Sequence, residues 1–197
     1  MFEAKHKAVI GLGNPGATFD LSPHNAGYAV VDALAATAGA EFKCGILPSA
    51  LVTDLTLGDI RLSLVKPTTG MNESGRAFAE VLSRLALDFP EILVVFDDLS
   101  LPLDTLRFRD SGRSTAGHRG LASVFEHVPE HRLLSRLKVG IGPDPGGANR
   151  LTYVTSPLPE PKRPLFAAAL VTARDAAQHW AEHGLSAAMS RYNATGK

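Results

Sequence analysis

A chain of 197 residues with 45% hydrophobic and 20% charged residues has the length and make-up of one globular domain with a proper core, which excludes a disordered segment. No apolar run reaches the ~18 residues of a membrane helix, and the stretch Met1–Lys7 lacks the layout of a secretion signal. The single cysteine, Cys44, rules out an internal disulfide framework and a Cys-rich zinc site, and suits a reducing cytoplasm. The net charge of zero hides an asymmetry: residues 1–98 carry 7 basic and 12 acidic side chains, residues 99–197 carry 13 and 8. Seven of the basic residues fall within 107–138: Arg107, Arg109, Arg113, Arg119, Arg132, Arg136 and Lys138. A local basic field on a neutral chain points to an anion or polyanion site; its plainer reading is a solvated face.

In chain order, Ala8–Leu12 reads as a buried strand that runs into an irregular loop with Pro15, Gly16, Pro23 and Asn25. Residues 26–38 carry Val30, Val31 and Leu34 at helical spacing. Residues 51–57 and 61–65 alternate around Gly58-Asp59 and predict a hairpin. A polar loop over 66–75 precedes a helix over 76–86, with Ser74 as its expected cap and Phe78, Val81, Leu82 and Leu85 as its stripe. Ile92–Phe96 is a continuous apolar strand, expected at the centre of a sheet, ending in Asp97-Asp98. A short strand over 106–109, a Gly/Ser-rich loop over 110–117, a helix over 120–127 and a strand over 137–141 follow. The turn-rich stretch 142–149 and the four-proline connector 157–164 lead to a last helix, from Pro164 to about His183. Strands alternating with helices predict a single α/β domain over 1–197: a mixed twisted β-sheet flanked by helices in three layers, α/β/α.

Gly11-Leu12-Gly13-Asn14-Pro15-Gly16 fits the dinucleotide pattern G-x-G-x-x-G, but that chemistry needs a helix to start there, and Pro23 interrupts the required segment. The glycines are read instead as allowing a tight turn. A different constellation is more informative. The ends of three apolar strands lead to Asn14, Asn72 and Asp97, and the loop after Asn14 holds His24. Each has a bland reading as a loop hydrogen-bonder, yet sites in α/β sheets gather beyond the carboxyl ends of strands. Together they suit hydrolysis without a metal: a histidine takes a proton from water, a carboxylate orients it, and an amide meets the developing oxyanion. No G-x-S-x-G elbow offers a serine nucleophile, Cys44 sits in no electropositive turn, and no spaced metal-ligand motif joins Asp97, Asp98 and His24. Gly117-His118-Arg119-Gly120 before a helix adds a candidate anion site.

Taken together, VIGLGNPG at 9–16, HNAG at 24–27, KPTTGMNESG at 66–75, ILVVFDDLSLP at 92–102, AGHRG at 116–120 and KVGIG at 138–142 resemble the bacterial-type peptidyl-tRNA hydrolase family, in its order and with its spacing. The resemblance implies a cytoplasmic, cofactor-free esterase that frees tRNA from prematurely released peptidyl-tRNA. It implies His24 as the base that activates water, Asp97 as its acidic partner, and Asn14 and Asn72 as the positioning amides. It places Phe19, Asn25, Met71, His118 and Arg119 against the substrate, and Arg107, Arg109 and Lys138 on the tRNA, with no metal. The expected partner is the tRNA acceptor end, with no membrane, and the expected state is a monomer. Departures from the family pattern are Pro23, Gly70, Glu73, Phe96 and a lid at 111–116 with few glycines. They bear on groove shape, lid mobility and rate, and leave the four catalytic positions intact. Two rivals follow: an RNA-binding factor that keeps the fold without turnover, and a small-molecule hydrolase indifferent to tRNA.

Overall fold

The computed structural model describes residues 5–193; Met1–Ala4 of the N-terminal stretch lie outside the described residues. The elements are β1 (Lys5–Gly11), α1 (Ala26–Thr37), β2 (Lys43–Leu47), β3 (Ala50–Leu57), β4 (Ile60–Pro67), α2 (Ser74–Arg84), β5 (Ile92–Pro102), β6 (Leu106–Arg109), α3 (Arg119–Phe125), β7 (Ser135–Gly142), α4 (Asn149–Thr155) and α5 (Arg163–Tyr192). All seven strands form one sheet in the order β2-β3-β4-β1-β5-β7-β6. β1 runs parallel to β4 and β5, and β5 runs parallel to β7. β3 pairs antiparallel with β4 in the hairpin, the outer strand β2 antiparallel with β3, and the edge strand β6 antiparallel with β7.

The inner strands are apolar on both faces because both are covered. Val9, Leu93, Val95 and Leu137 face α1 and α5, whose Val30, Leu34, Ala177 and Trp180 close one core. Ala8, Ile10, Val94 and Phe96 face α2 and α3, whose Phe78, Val81, Leu121 and Val124 close the other. The three-layer mixed α/β arrangement read from the sequence is thereby observed. From β1 the chain crosses by α1 to the hairpin side, and from β4 it crosses by α2 to β5 on the other side of β1. The switch in direction opens a crevice at the carboxyl ends of β1, β4 and β5, where an open α/β sheet places its site.

Several details differ from the sequence expectations. The glycines of the β1 exit serve close approach rather than a tight turn. A Cβ at Gly11 would lie 2.1 Å from the Gly27 carbonyl oxygen, and one at Gly13 would lie 2.5 Å from the Tyr28 ring. α1 therefore packs against the backbone of β1. Ser74 is the first residue of α2 rather than its cap; its hydroxyl donates back to the Met71 carbonyl at 2.8 Å, and Glu73 stands at the cap. β2 and α4 lack strong periodic signals and escape the sequence reading. α5 runs on to Tyr192 because Gly184, at φ 82° and ψ 175°, lets the chain bend and continue helical.

Candidate active site

The exit of β1 is held by an exchange of backbone-like bonds. The Asn25 amide oxygen accepts the Asn14 N–H at 2.8 Å, and the Asn25 Nδ2 donates to the Asn14 carbonyl at 3.0 Å. Asn25 itself is buried. The Asn14 side-chain oxygen then accepts the Met71 N–H at 2.9 Å. With its oxygen tied to the loop after β4, the Asn14 side chain presents its Nδ2 as the remaining donor at the wall of the cleft. Tyr28 adds a brace, its buried phenol donating to the Pro67 carbonyl, and burial pushes that phenol's pKa well up.

His24 lies in a single 3-10 turn over Pro23–Asn25. Pro23 occupies its first position, where a missing N–H costs nothing and φ is preset. The departure at residue 23 is thus compatible with the turn that carries the histidine. His24 Nδ1 meets Asp97 Oδ1 at 2.8 Å, and His118 Nε2 meets the same oxygen at 3.1 Å. The Leu121 N–H donates to His118 Nδ1 at 3.1 Å, where His118 caps α3. That bond settles the tautomer: Nδ1 of His118 is an acceptor, so its Nε2 carries the proton given to Asp97. His24 likewise gives its Nδ1 proton to Asp97 and keeps the Nε2 lone pair. The rings of His24 and His118 stand 4.8 Å apart, and the buried Phe96 ring lies edge-on to His118 at 5.1 Å.

Burial of Asp97 favours the protonated acid, but His118 and His24 overcome it and hold the carboxyl well below the usual carboxylate range. Burial of His24 favours the neutral ring, but the Asp97 charge and hydrogen bond together outweigh it, raising the imidazole above its ordinary value of 6.5. A base that must be neutral to act loses activity as pH falls through its pKa. The acid limb of kcat/KM is therefore expected to have its midpoint above pH 6.5, as a pH–rate profile would read directly. His24, Asp97 and His118 are also a group, among the described residues, whose ligand atoms lie close enough together to hold a metal ion. As arranged, the two facing ring nitrogens carry the protons shared with Asp97.

These groups line one cleft of about 680 Å³. Asn14, His24, Met71, Asn72, Asp97, His118 and Arg119 all lie along it. Asn72 is exposed there, ahead of α2. Phe19, in a 3-10 turn over Ala17–Phe19, is outside the lining, as is Asn25, which acts on Asn14 from behind. A Cβ at Gly70 would meet nothing within 4 Å, so the groove stands open there. The far wall comes from α4 and the turn before it, with Asp144, Arg150, Leu151 and Val154. Sequence reasoning missed this wall, whose helix is only seven residues long.

A second, smaller hollow of about 110 Å³ lies between Arg109, Ser111, Gly112, Ser114, Arg136 and Lys138. Across β6 and β7, Arg107 faces Lys138 and Arg109 faces Arg136. Two of the four cations are already used. Lys138 Nζ lies 2.5 Å from the buried Asp98 carboxylate. The buried Arg136 donates to the carbonyls of Ser111 and Leu134, and its guanidinium stacks over Phe125. Arg107 and Arg109 have no carboxylate partner among the described residues, and Arg107 Nε is buried without an acceptor. The loop 110–117, expected to be mobile, is pinned at Arg113, which donates to the carbonyls of Phe125 and Val128.

Fold and site together define a three-layer α/β protein with a carboxylate-backed imidazole at the switch point of its sheet. Residues 8–197 match the family described as Peptidyl-tRNA hydrolase. Curated relatives of that name include one from Syntrophomonas wolfei, 38% identical over 187 residues, covering 95% of this chain and 100% of the relative. One from Moorella thermoacetica is 40% identical over 186 residues, covering 94% and 96%. The crystal structure of peptidyl-tRNA hydrolase from Acinetobacter baumannii superposes with a TM-score of 0.87 over 98% of this chain and 97% of that one, at 24% identity, and shares the fold. The chain belongs to the peptidyl-tRNA hydrolase family.

Proposed function

We propose that this protein hydrolyses the ester joining a peptide, or an N-blocked amino acid, to the 3′ ribose of tRNA. It does so without a cofactor, as a cytoplasmic monomer that returns tRNA from prematurely released peptidyl-tRNA. The observation that carries the reading is the 2.8 Å contact of His24 Nδ1 with Asp97 Oδ1: a proton given to the carboxylate from Nδ1 leaves the Nε2 lone pair for the cleft. Nε2 takes a proton from water, and the hydroxide formed adds to the ester carbonyl. The negative charge on that oxygen is met by the Asn14 and Asn72 amides, Asn14 being held with its donor end outward by Met71. Collapse breaks the bond to the ribose oxygen, which leaves with the proton from His24. Asp97 stabilises the imidazolium between the two transfers. His118 supports Asp97 from behind, and Met71, Arg119 and the α4 wall line the space for the acyl and terminal nucleotide groups.

Arg107 and Arg109, with Lys138 and Arg136 beside them, form the face that meets the acceptor-stem phosphates. The direct test is cleavage of an N-acetylated aminoacyl-tRNA beside the same tRNA with a free amino group. Turnover of the blocked substrate alone is expected. Binding of tRNA with no turnover of either supports the non-catalytic binder, and equal turnover of simple esters supports the small-molecule hydrolase. For the basic face, Arg109→Ala is expected to flatten the slope of log K against log salt by about 0.7–0.9, the loss of one phosphate contact. Lys138→Ala should flatten it less, because Asp98 already matches that charge. Titrations of tRNA at several salt concentrations decide this; an unchanged slope for Arg109→Ala removes the face from the binding site.

A further inference from the structure

We propose that Asn193, just past the carboxyl end of α5, is a positioning residue for the basic edge strand, holding Arg107 and Arg109 where they meet tRNA phosphate. The proposal rests on the reading of that face as the tRNA-binding face. β6 is poorly equipped to hold itself in place. It has four residues and a single neighbour, β7. Its two outward cations lie opposite two more across the ladder, Arg107 against Lys138 and Arg109 against Arg136. Like charges directly opposed on a sheet are destabilising. An edge strand also leaves every second residue's N–H and C=O without a ladder partner.

Asn193 fills that gap at the residue between the two arginines. Its Oδ1 accepts the Phe108 N–H at 2.6 Å, and its Nδ2 donates to the Phe108 carbonyl at 3.1 Å. One side-chain amide thus takes the place of the missing outer strand, reaching across 85 positions of sequence. The Phe108 ring is buried in the core beside Tyr192, which fixes the same point from within. The Phe108 carbonyl also accepts Arg109 Nη1 at 3.3 Å. Asn193 and Arg109 therefore converge on one oxygen, so the amide orients both the strand and a guanidinium of the binding face. The bend at Gly184 redirects the last turns of α5 to this point. Asn193 lies away from the cleft lining, so its loss should be felt in binding and not in chemistry.

The test is Asn193→Ala, alone and in an Arg107→Ala/Arg109→Ala background. Alone, it is expected to raise the Kd for uncharged tRNA about threefold to tenfold and to raise KM in step, with kcat at saturating substrate within about twofold of wild type. Retained kcat also reports an intact fold. In the double-arginine background the same change should alter Kd by less than about 1.5-fold, since the groups it positions are gone. Equal weakening in both backgrounds, no weakening in either, or a fall in kcat matching the rise in KM would each overturn the proposal. If the double-arginine variant itself binds tRNA as wild type does, the binding face is wrong and Asn193 loses its role with it. Weak binding by that variant together with an Asn193→Ala protein of wild-type affinity would sink only the positioning role.

Discussion

His24→Ala is expected to lower kcat for N-acetylated aminoacyl-tRNA by about 10²–10⁴, the usual contribution of a positioned general base, while tRNA affinity stays within about twofold. The argument is geometric. Asp97 is ionised and buried, His118 already spends its Nε2 proton on it, and His118 Nδ1 is filled by the Leu121 N–H. No second imidazole nitrogen of this cluster has a lone pair to offer water, so no neighbour can stand in for His24. The variant also removes one of the two donors to a buried carboxylate, and an unpaired buried charge is costly. His24→Asn separates the two effects: its amide can still donate towards Asp97 but cannot accept a proton from water at neutral pH. Both variants should be inactive, with His24→Asn the more heat-stable in a thermal melt. Near-wild-type cleavage by either protein would remove His24 as the base. Loss of tRNA binding along with turnover would make its role structural.

How much of this was legible in the sequence varies with the kind of contact involved. The α/β class, the hairpin, the inner strands and the four polar groups at strand ends follow from local pattern, because apolar runs and turn residues are written in consecutive positions. The tautomer is not legible. It depends on the Leu121 N–H reaching His118, and on His24 and His118 sharing one oxygen of Asp97, which lies 73 positions from the one and 21 from the other. The division of the basic window is equally hidden. A count of arginines cannot tell that Lys138 is matched by Asp98 and Arg136 is held by two carbonyls, while Arg107 and Arg109 have no carboxylate partner among the described residues. Asn25 shows the limit in the other direction. The family pattern puts it against substrate, whereas its buried amide is consumed by the backbone of Asn14. The α4 wall escaped because Asn149–Thr155 is seven residues long with a single buried side chain, too little periodicity to register.

Asp97→Asn is expected to cost about 10²-fold in kcat/KM at neutral pH, less than the ~10⁴ that follows the same change in a serine-protease triad, where the histidine is left in the wrong tautomer. The difference comes from His118. Its Nε2–H is fixed by the Leu121 bond and needs an acceptor at the position of Asp97 Oδ1. An asparagine at 97 must therefore turn its oxygen there, since its amine would set donor against donor. The same oxygen faces His24 Nδ1, so His24 keeps its proton on Nδ1 and its lone pair on Nε2. What is lost is the charge that stabilises the imidazolium. The cause that raises His24 then disappears while its desolvation remains, so the acid limb should move to lower pH than in the wild type. His118→Phe should undo the protection. Without the Nε2–H the amide can rotate, and Asp97→Asn/His118→Phe is expected to fall about a further tenfold below the product of the single losses, a coupling of the kind a double-mutant cycle resolves. Strict additivity would show that His118 does not govern the orientation at residue 97, and an acid limb that stays in place in Asp97→Asn would show that the Asp97 charge is not what raises His24.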